Sequence, residues 1–223
     1  MSELNLVLLG PPGSGKGTQG ERLQADLRLP YYATGDILRA AVREGTDLGN
    51  EAKQYMERGD LVPDEVMVGL IAERVASEEA ADGFILDGFP RTIAQAEALD
   101  AKLSELGRGL TAVLLIHVPE DEVVRRLSDR RVCPNGHVFH LEFDRPREEG
   151  VCDICGERLE IRHDDTPEVV RHRLGTYHEK TEPLVAYYED RGLLHGIDGQ
   201  PAPDEVASRI SALLATLKKE EEL

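Results

Sequence analysis

A glycine-rich segment near the start of the chain has the composition of a phosphate-binding loop. It follows the apolar run Leu4–Leu9 and reads Gly10-Pro11-Pro12-Gly13-Ser14-Gly15-Lys16-Gly17-Thr18. Glycines adopt conformations that let consecutive N–H groups point at phosphate oxygens, and a helix that begins here adds its positive dipole end. Lys16 would place an ammonium group against the outer phosphates. Gly17 stands where many such loops carry a Mg²⁺-binding serine or threonine, and Thr18 comes one position later.

Two further polar clusters come directly after extended apolar segments. One is Tyr31-Tyr32-Ala33-Thr34-Gly35-Asp36 with Arg39, and the other is Phe84-Ile85-Leu86-Asp87-Gly88-Phe89-Pro90-Arg91 with Gln95. Arg39 and Arg91 are suited to hold a phosphate through two hydrogen bonds each, because guanidinium groups match phosphate geometry. The Gln95 amide can pair with a nucleobase edge. We therefore predict a second, acceptor site beside the loop.

All three cysteines fall within the stretch 133–155, which indicates a metal site. An odd number of cysteines argues against a disulfide framework. Cys152-Asp153-Ile154-Cys155-Gly156 is a common half of a zinc ribbon, and Cys133 with His137 would complete three thiolates and one imidazole. His140 competes with His137 as the fourth ligand. The alternative is a segment held by hydrogen bonds, with reduced buried thiols.

Composition excludes several classes of protein. The 223 residues include 26 Lys and Arg against 43 Asp and Glu, a formal charge of −17. Such a charge disfavours binding to nucleic acids and anionic membranes, which are polyanions. No apolar stretch approaches the ~20 residues of a membrane span, and no basic run precedes the first apolar segment. We expect a soluble, cytoplasmic protein.

The basic residues are unevenly chosen, with six Lys and twenty Arg. One interpretation is compositional drift in a high-GC genome, which favours Arg codons. The other is adaptation to high salt, because at ~1 M salt the Debye length is only about 3 Å and repulsion is screened. Both interpretations stay open at this point.

The elements that position these groups alternate along the chain. Short apolar runs at Leu4–Leu9, Phe84–Leu86, Val113–Val118 and Leu193–Ile197 are separated by segments of helical spacing. One such segment has Met67, Leu70, Ile71 and Val75 behind the helix start Pro63-Asp64-Glu65. This pattern predicts a parallel sheet covered by helices on both faces, with ligands at the carboxyl ends of its strands. The stretch from about 131 to 160 lacks a helical period and predicts a small inserted subdomain.

Taken together, the loop, Thr34-Gly35-Asp36 and Asp87-Gly88-Phe89-Pro90-Arg91-Thr92, in this order and separation, resemble the adenylate kinase family, and the insertion after Arg130 resembles its long lid. The resemblance implies an α/β fold of the P-loop NTPase type, with a five-stranded parallel sheet flanked by helices. It implies a core of residues 1–32, 63–129 and 163–223, an AMP-binding helical domain of residues 33–62 and a lid of residues 130–162. The implied reaction is ATP + AMP ⇌ 2 ADP with Mg²⁺, in a monomer.

The resemblance also implies roles for individual residues. Implied ATP-binding residues are Gly13, Ser14, Gly15, Lys16, Gly17, Thr18, Arg130, Val138, Phe139, Gln200 and Pro201, the last two through backbone only because their side chains depart from the family pattern. Implied AMP-binding residues are Thr34, Arg39, Asp60, Leu61, Val62, Gly88, Phe89, Pro90, Arg91, Gln95, Arg162 and Arg173. Implied catalytic residues are Lys16, Arg91, Arg126, Arg130, Arg162 and Arg173. Asp87 would order Mg²⁺ through water, and Asp164 and Asp165 would hold the closed lid. Cys133, His137, Cys152 and Cys155 would bind a structural Zn²⁺ in that lid.

Several alternatives remain. A kinase for UMP, CMP or GMP would usually have a short lid, and Thr34 and Gln95 fit adenine better. A GTP-using AMP kinase is harder to separate, because the donor base is read mostly by backbone. A zinc-ribbon nucleic-acid-binding P-loop protein conflicts with the charge of −17. A P-loop switch or assembly ATPase would need a separate Mg²⁺-binding aspartate motif and lacks the Asp-Gly-Phe-Pro-Arg signature.

Overall fold

A five-stranded parallel sheet lies at the centre of the structure, a computed structural model that describes residues 3–221. Met1, Ser2, Glu222 and Leu223 lie outside the described residues. The strand order is β2-β3-β1-β4-β7. The strands of this sheet are β1 (Leu4–Leu9), β2 (Tyr31–Ala33), β3 (Gly83–Asp87), β4 (Ala112–His117) and β7 (Leu194–Asp198). The predicted α/β fold with a five-stranded parallel sheet is confirmed.

Central strands of the sheet are buried on both faces, which explains their continuous apolar sequence. All six residues of β1 are buried, and β1 pairs with β3 on one side and β4 on the other. The apolar run Leu4–Leu9 coincides with β1. Each of the other three predicted runs differs from its strand by one residue at both ends, because strand ends are set by ladder pairing, in which polar residues such as Asp87 also take part.

Helices cover both faces of the sheet and connect its strands. They are α1 (Lys16–Leu27), α2 (Thr34–Glu44), α3 (Asp47–Arg58), α4 (Asp64–Val75), α5 (Ile93–Glu105), α6 (Glu120–Asp129), α7 (Pro167–Thr176), α8 (Leu184–Glu189) and α9 (Pro203–Glu221). Two 3₁₀ turns (Glu78–Ala80 and His163–Asp165) and one π-helical turn (Tyr177–Thr181) complete them. The helix predicted behind Pro63-Asp64-Glu65 is α4, with Met67, Ile71 and Val75 buried. Among residues 3–221, none of the helices combines the length and apolarity that a membrane span requires.

Helices α2 and α3 form a closely packed pair between β2 and α4. Gly49 makes this approach possible, because a Cβ there would lie 2.1 Å from the Ala41 carbonyl oxygen. Thr46 begins α3 as its N-cap, with its hydroxyl accepting a hydrogen bond from the Gly49 N–H. The pair carries Thr34 and Arg39 at one end and Asp60 just beyond the other.

The segment between α6 and α7 is an irregular unit with very little apolar core. Strands β5 (Arg130–Val132) and β6 (Val138–His140) pair antiparallel. Its buried cluster consists of Cys133, Phe139, Cys152 and Leu159. Because two of these four residues are cysteines, hydrophobic burial supplies little of the free energy that holds this unit together.

Candidate active site

A cleft of about 650 Å³ lies where the parallel strands end, and most of the predicted site residues line it. The predicted residues along it are Gly13, Ser14, Gly15, Lys16, Gly17, Thr18, Thr34, Arg39, Asp60, Leu61, Val62, Asp87, Gly88, Pro90, Arg91, Gln95, Arg126, Arg130, Val138, Phe139, Arg162, Asp164, Arg173 and Pro201. One cleft thus joins both predicted nucleotide sites.

Apart from the predicted zinc ligands, three predicted residues lie away from the cleft wall. Phe89 is 1% exposed and packs in the main core instead. Gln200 is exposed, and its carbonyl accepts a hydrogen bond from Arg126 Nη2 at 3.1 Å, while its neighbour Pro201 reaches the cleft. Asp165 is buried behind the wall, where it pairs with arginines.

The glycine-rich loop has the backbone that a phosphate cradle requires. Gly13 and Gly15 have φ values of 78° and 97°, and α1 begins at Lys16 directly after Gly15. Gly10 also has a positive φ, and a Cβ there would lie 2.4 Å from the Ile116 carbonyl oxygen. The loop therefore turns tightly between β1 and α1 and presents the first N–H groups of α1 to the cleft.

Lys16 folds back over the loop at the floor of the cleft. Its Nζ donates hydrogen bonds to the carbonyl oxygens of Gly10 and Pro11, both at 2.8 Å. Desolvation lowers the pKa of Lys16 to about 8, and Asp87 acts in the opposite direction. Even so, the ammonium is the dominant form at pH 7 and is placed to move onto a phosphate.

The acceptor side of the cleft is fixed by a chain of hydrogen bonds around Arg91. The Arg91 Nε donates to the Gly88 carbonyl at 2.8 Å, and its backbone N–H donates to Gln95 Oε1 at 2.7 Å. Gln95 in turn donates from Nε2 to Asp64 Oδ1 at 2.7 Å. Thr34 donates its hydroxyl to the Gly88 carbonyl at 2.9 Å. The amide predicted to meet a nucleobase is thus engaged within the protein, and it would have to exchange the Asp64 bond for the base.

Sequence reasoning did not identify the partners that hold this chain in place. Thr92 caps α5, accepting from the Gln95 N–H, and its hydroxyl donates to Asp64 Oδ2 at 2.9 Å. Thr181 donates its hydroxyl to the Arg91 carbonyl at 2.9 Å from the π-helical turn. The Pro63-Asp64-Glu65 helix start indicated only that α4 begins there, and no local pattern predicts the contact of Thr181 with Arg91.

Three arginines and two carboxylates form a network beneath the irregular segment. Arg130 Nε donates to Asp165 Oδ2 at 2.7 Å, and Arg173 Nη1 donates to Asp164 Oδ2 at 3.1 Å and Asp165 Oδ1 at 3.2 Å. Arg162 lies 4.0 Å from Asp164. Burial alone would raise the pKa of Asp164, yet the Arg173 and Arg162 guanidinium groups hold that pKa below its usual value. Asp164 therefore stays ionised and helps to keep the guanidinium groups together.

The arginines stay charged near neutral pH despite their crowding. Desolvation lowers the pKa of Arg91 to about 10 and that of Arg162 to about 9, with neighbouring arginines acting in the same direction. Eight Lys or Arg side chains line the cleft against six Asp or Glu, in a chain with a net charge of −17. A polyanionic ligand therefore meets a locally positive surface.

Asp87 presents a carboxylate to the cleft and is held from behind by Tyr31. The Tyr31 hydroxyl donates to Asp87 Oδ2 at 2.8 Å. Burial and the Asp87 charge raise the pKa of Tyr31 well above its ordinary value, so the phenol stays a donor. Asp87 Oδ1 accepts no hydrogen bond from any residue that the structure describes. A carboxylate with one free oxygen at the end of a strand is a donor that fits hydrated Mg²⁺.

The three cysteines and His137 converge in the irregular segment. Their ligand atoms lie within 4.8 Å of one another. His137 Nδ1 is 3.3 Å from Cys133 Sγ and 3.4 Å from Cys152 Sγ, and the sulfurs of Cys155 and Cys133 are 3.6 Å apart. Sulfurs about 2.3 Å from a tetrahedral zinc would lie roughly 3.8 Å from each other, so the set fits such an ion.

His140, the competing ligand, is directed elsewhere. Its Nδ1 accepts hydrogen bonds from the backbone N–H groups of Glu142 and Phe143, at 3.2 and 3.3 Å. The ring lines the cleft and packs against Phe143 with centroids 4.7 Å apart. The structure therefore groups His137, and not His140, with the cysteines.

Comparisons with known proteins agree with this geometry. The sequence model of the adenylate kinase family matches residues 8–193. The chain is 51% identical over 212 residues to an adenylate kinase of Acidothermus cellulolyticus, across 95% of this chain and 98% of that protein. It is 49% identical over 216 residues to an adenylate kinase of Archaeoglobus fulgidus, across 96% and 100% of the two chains. An adenylate kinase of Methanococcoides burtonii is 50% identical over 215 residues, with 96% and 100% coverage.

Proposed function

Because the chain belongs to the adenylate kinase family, whose phosphotransferase reaction is ATP + AMP ⇌ 2 ADP, we propose that its single cleft holds both nucleotides with their phosphates facing each other. The observation that carries this proposal is the continuity of the cleft. The phosphate loop lines one side of it, and the Arg91 chain of hydrogen bonds lines the other.

On the donor side, the loop and its lysine bind the phosphates of ATP. The N–H groups of Gly13–Thr18 surround the outer phosphates, and Lys16 exchanges its carbonyl partners for phosphate oxygens. Arg126, Val138, Phe139 and the backbone near Pro201 border the space left for the nucleoside.

On the acceptor side, Thr34, Arg39, Gln95 and the backbone at Asp60–Val62 enclose AMP, while Arg91 binds its phosphate. No general base is required, because the attacking phosphate is already anionic. Phosphoryl transfer needs alignment and neutralisation of charge, which Arg91, Arg130, Arg162 and Arg173 provide.

Magnesium fits the donor side of the site. Mg²⁺ would supply positive charge that neutralises part of the negative charge of the phosphates. Asp87 would hold it through water, since Asp87 lines the cleft, as Lys16 does, and its Oδ1 accepts no hydrogen bond from the described residues.

Zinc in the irregular segment would be structural. Cys133, His137, Cys152 and Cys155 supply four donors, so no coordination position is left for a substrate. Zinc coordination would then contribute most of the free energy that folds the segment.

We further propose that residues 130–162 act as a lid and 33–62 as an AMP-binding domain on a core of residues 1–32, 63–129 and 163–223. The Arg130–Asp165 and Arg173–Asp164 pairs lie at the base of the lid, where they would favour its closed position. Closure excludes water, which would otherwise accept the phosphoryl group. We also propose a cytoplasmic location, since the cysteines form a ligand set that disulfide formation would destroy. The proposed monomer rests on the likeness to long-lid members of the family, which are typically monomers.

A coupled assay tests the reaction. ATP or GTP is offered as donor with AMP, UMP, CMP or GMP as acceptor, in the presence of Mg²⁺. We expect AMP to exceed the other acceptors by orders of magnitude in kcat/KM. A UMP, CMP or GMP preference would replace the acceptor assignment, and a GTP preference would replace the donor assignment.

Replacing Lys16 tests the mechanism. Lys16→Ala should lower kcat by several orders of magnitude and leave the unfolding midpoint close to that of the unmodified protein. Lys102→Ala is the matched control, because Lys102 only pairs with Glu105 on the surface of α5. A near-normal rate for Lys16→Ala would contradict the mechanism.

A further inference from the structure

We propose that Tyr31 is a positioning residue for magnesium, acting through Asp87. Its phenol hydroxyl would hold the Asp87 carboxylate in the orientation that binds Mg²⁺ through water. This inference rests on the proposed role of Asp87 and goes beyond it by adding a residue that does not itself line the cleft.

Tyr31 holds its position because one residue of α1 is a glycine. Its ring lies against Gly20, where a Cβ would be 2.3 Å from Tyr31 Cε2 and 2.5 Å from Cζ. At Gly17, a Cβ would be 3.9 Å from the Tyr31 hydroxyl oxygen. Only a residue without a side chain at position 20 allows the ring to cross α1 and reach Asp87.

Gly17 makes this arrangement relevant to the metal. At this position many phosphate loops carry a serine or threonine whose hydroxyl binds Mg²⁺. Here that hydroxyl is missing, and the Tyr31 hydroxyl lies beside the space that a side chain on Gly17 would enter. The metal site therefore depends more heavily on Asp87.

A single hydrogen bond can decide how well Asp87 performs this role. The Tyr31 hydroxyl donates to Oδ2 at 2.8 Å, and Oδ1 of this cleft-lining residue accepts no hydrogen bond from the described residues. Without that donor the carboxylate would sample other rotamers, and part of the metal's binding free energy would be lost in ordering it. Removal of outer-shell partners of this kind typically lowers metal affinity about 10-fold or more.

Tyr31→Phe tests the proposal, because it removes the hydroxyl and keeps the ring. Affinity for ATP is measured by titration calorimetry with Mg²⁺ and again with EDTA. We expect roughly 10-fold weaker binding with Mg²⁺ and unchanged binding with EDTA. Electron paramagnetic resonance of Mn²⁺–ATP bound to the protein should show an altered metal environment.

Two further variants complete the design. Tyr32→Phe is the matched control, since the Tyr32 hydroxyl contacts the Arg74 carbonyl at 3.5 Å, away from Asp87. It should leave both affinities unchanged. Gly20→Ala keeps the Tyr31 hydroxyl but displaces the ring, and it should reproduce the selective loss with Mg²⁺.

Asp87→Asn separates the two proposals. If it weakens Mg²⁺–ATP binding while Tyr31→Phe does not, the role of Tyr31 is refuted and that of Asp87 stands. If neither variant affects the metal, the role of Asp87 itself fails. Equal losses for Tyr31→Phe with Mg²⁺ and with EDTA would show a structural role only and would also overturn the proposal.

Discussion

At the scale of single residues, Lys16 should set the upper pH limit for capture of ATP. Desolvation lowers its pKa to about 8, so the ammonium form dominates below that pH and the neutral amine above it. The kcat/KM for ATP reports the free protein and should therefore fall as pH rises through about 8. Bound phosphate stabilises the ammonium, so kcat should persist to higher pH. Steady-state pH profiles of kcat and of kcat/KM for ATP test this prediction.

The acceptor provides an internal control for this pH dependence. In the proposed complex, AMP meets Arg91 and Arg162, whose pKa values are lowered by desolvation to about 10 and about 9. At saturating ATP, the kcat/KM for AMP should begin to fall at a pH about one unit higher than the pH at which the kcat/KM for ATP falls. A kcat/KM for ATP that stays constant from pH 7 to 10 would contradict the assignment of the phosphate contact to Lys16.

Residue-level prediction succeeds where function depends on local spacing. The loop Gly13–Thr18 reaches the cleft because its glycines and the start of α1 are adjacent in sequence. Hydrogen bonds between residues far apart in sequence leave no such local pattern. Tyr31 and Asp87 are 56 positions apart, and Thr181 and Arg91 are 90 positions apart. The Phe89 side chain is buried in the core although its neighbours Gly88 and Pro90 line the cleft, and the motif alone does not predict this orientation.

At the scale of elements, the irregular segment should depend on the proposed zinc more than any other part of the chain. Its buried cluster of Cys133, Phe139, Cys152 and Leu159 is too small to hold it alone. Metal removal by chelation should increase hydrogen exchange within residues 130–162 and leave strands β1, β3 and β4 protected. Hydrogen exchange measured by mass spectrometry, together with metal analysis of the purified protein, tests this prediction.

Two histidine variants serve as a matched pair for that experiment. His137→Asn should lose zinc and show the exchange pattern of the chelated protein, whereas His140→Asn should retain zinc, because its ring lies toward the cleft. Protein purified without chelators that contains no zinc, or zinc retained by His137→Asn, would refute the site.

Element boundaries were predictable where burial is continuous and less so elsewhere. The six residues of β1 are apolar throughout, so the run and the strand coincide. The closeness of α2 and α3, by contrast, depends on Gly49 lying against Ala41. From the sequence, a single glycine at position 49 does not predict which helix packs against it, since that depends on contacts between elements.

At the scale of the whole molecule, the charge distribution divides into a positive cleft and a strongly negative remainder. Eight cationic and six acidic side chains line the cleft, so the rest of the chain is more negative than the net charge of −17. The ion pairs of the cleft include the buried Asp165, and buried pairs are screened little by salt. Repulsion among exposed carboxylates is screened strongly, so the two regions should respond differently to ionic strength.

This difference yields a test of the two interpretations of the lysine-poor composition. Raising salt from ~0.1 to ~1 M shortens the Debye length from about 10 to about 3 Å and removes most surface repulsion. If the acidic surface is an adaptation to high salt, the midpoint of thermal unfolding should rise markedly over this range. Replacing exposed carboxylates such as Glu44 and Glu51 by Gln should raise that midpoint in dilute buffer and flatten its salt dependence. A midpoint that stays constant from dilute buffer to molar salt would reject adaptation and leave codon-driven drift as the explanation.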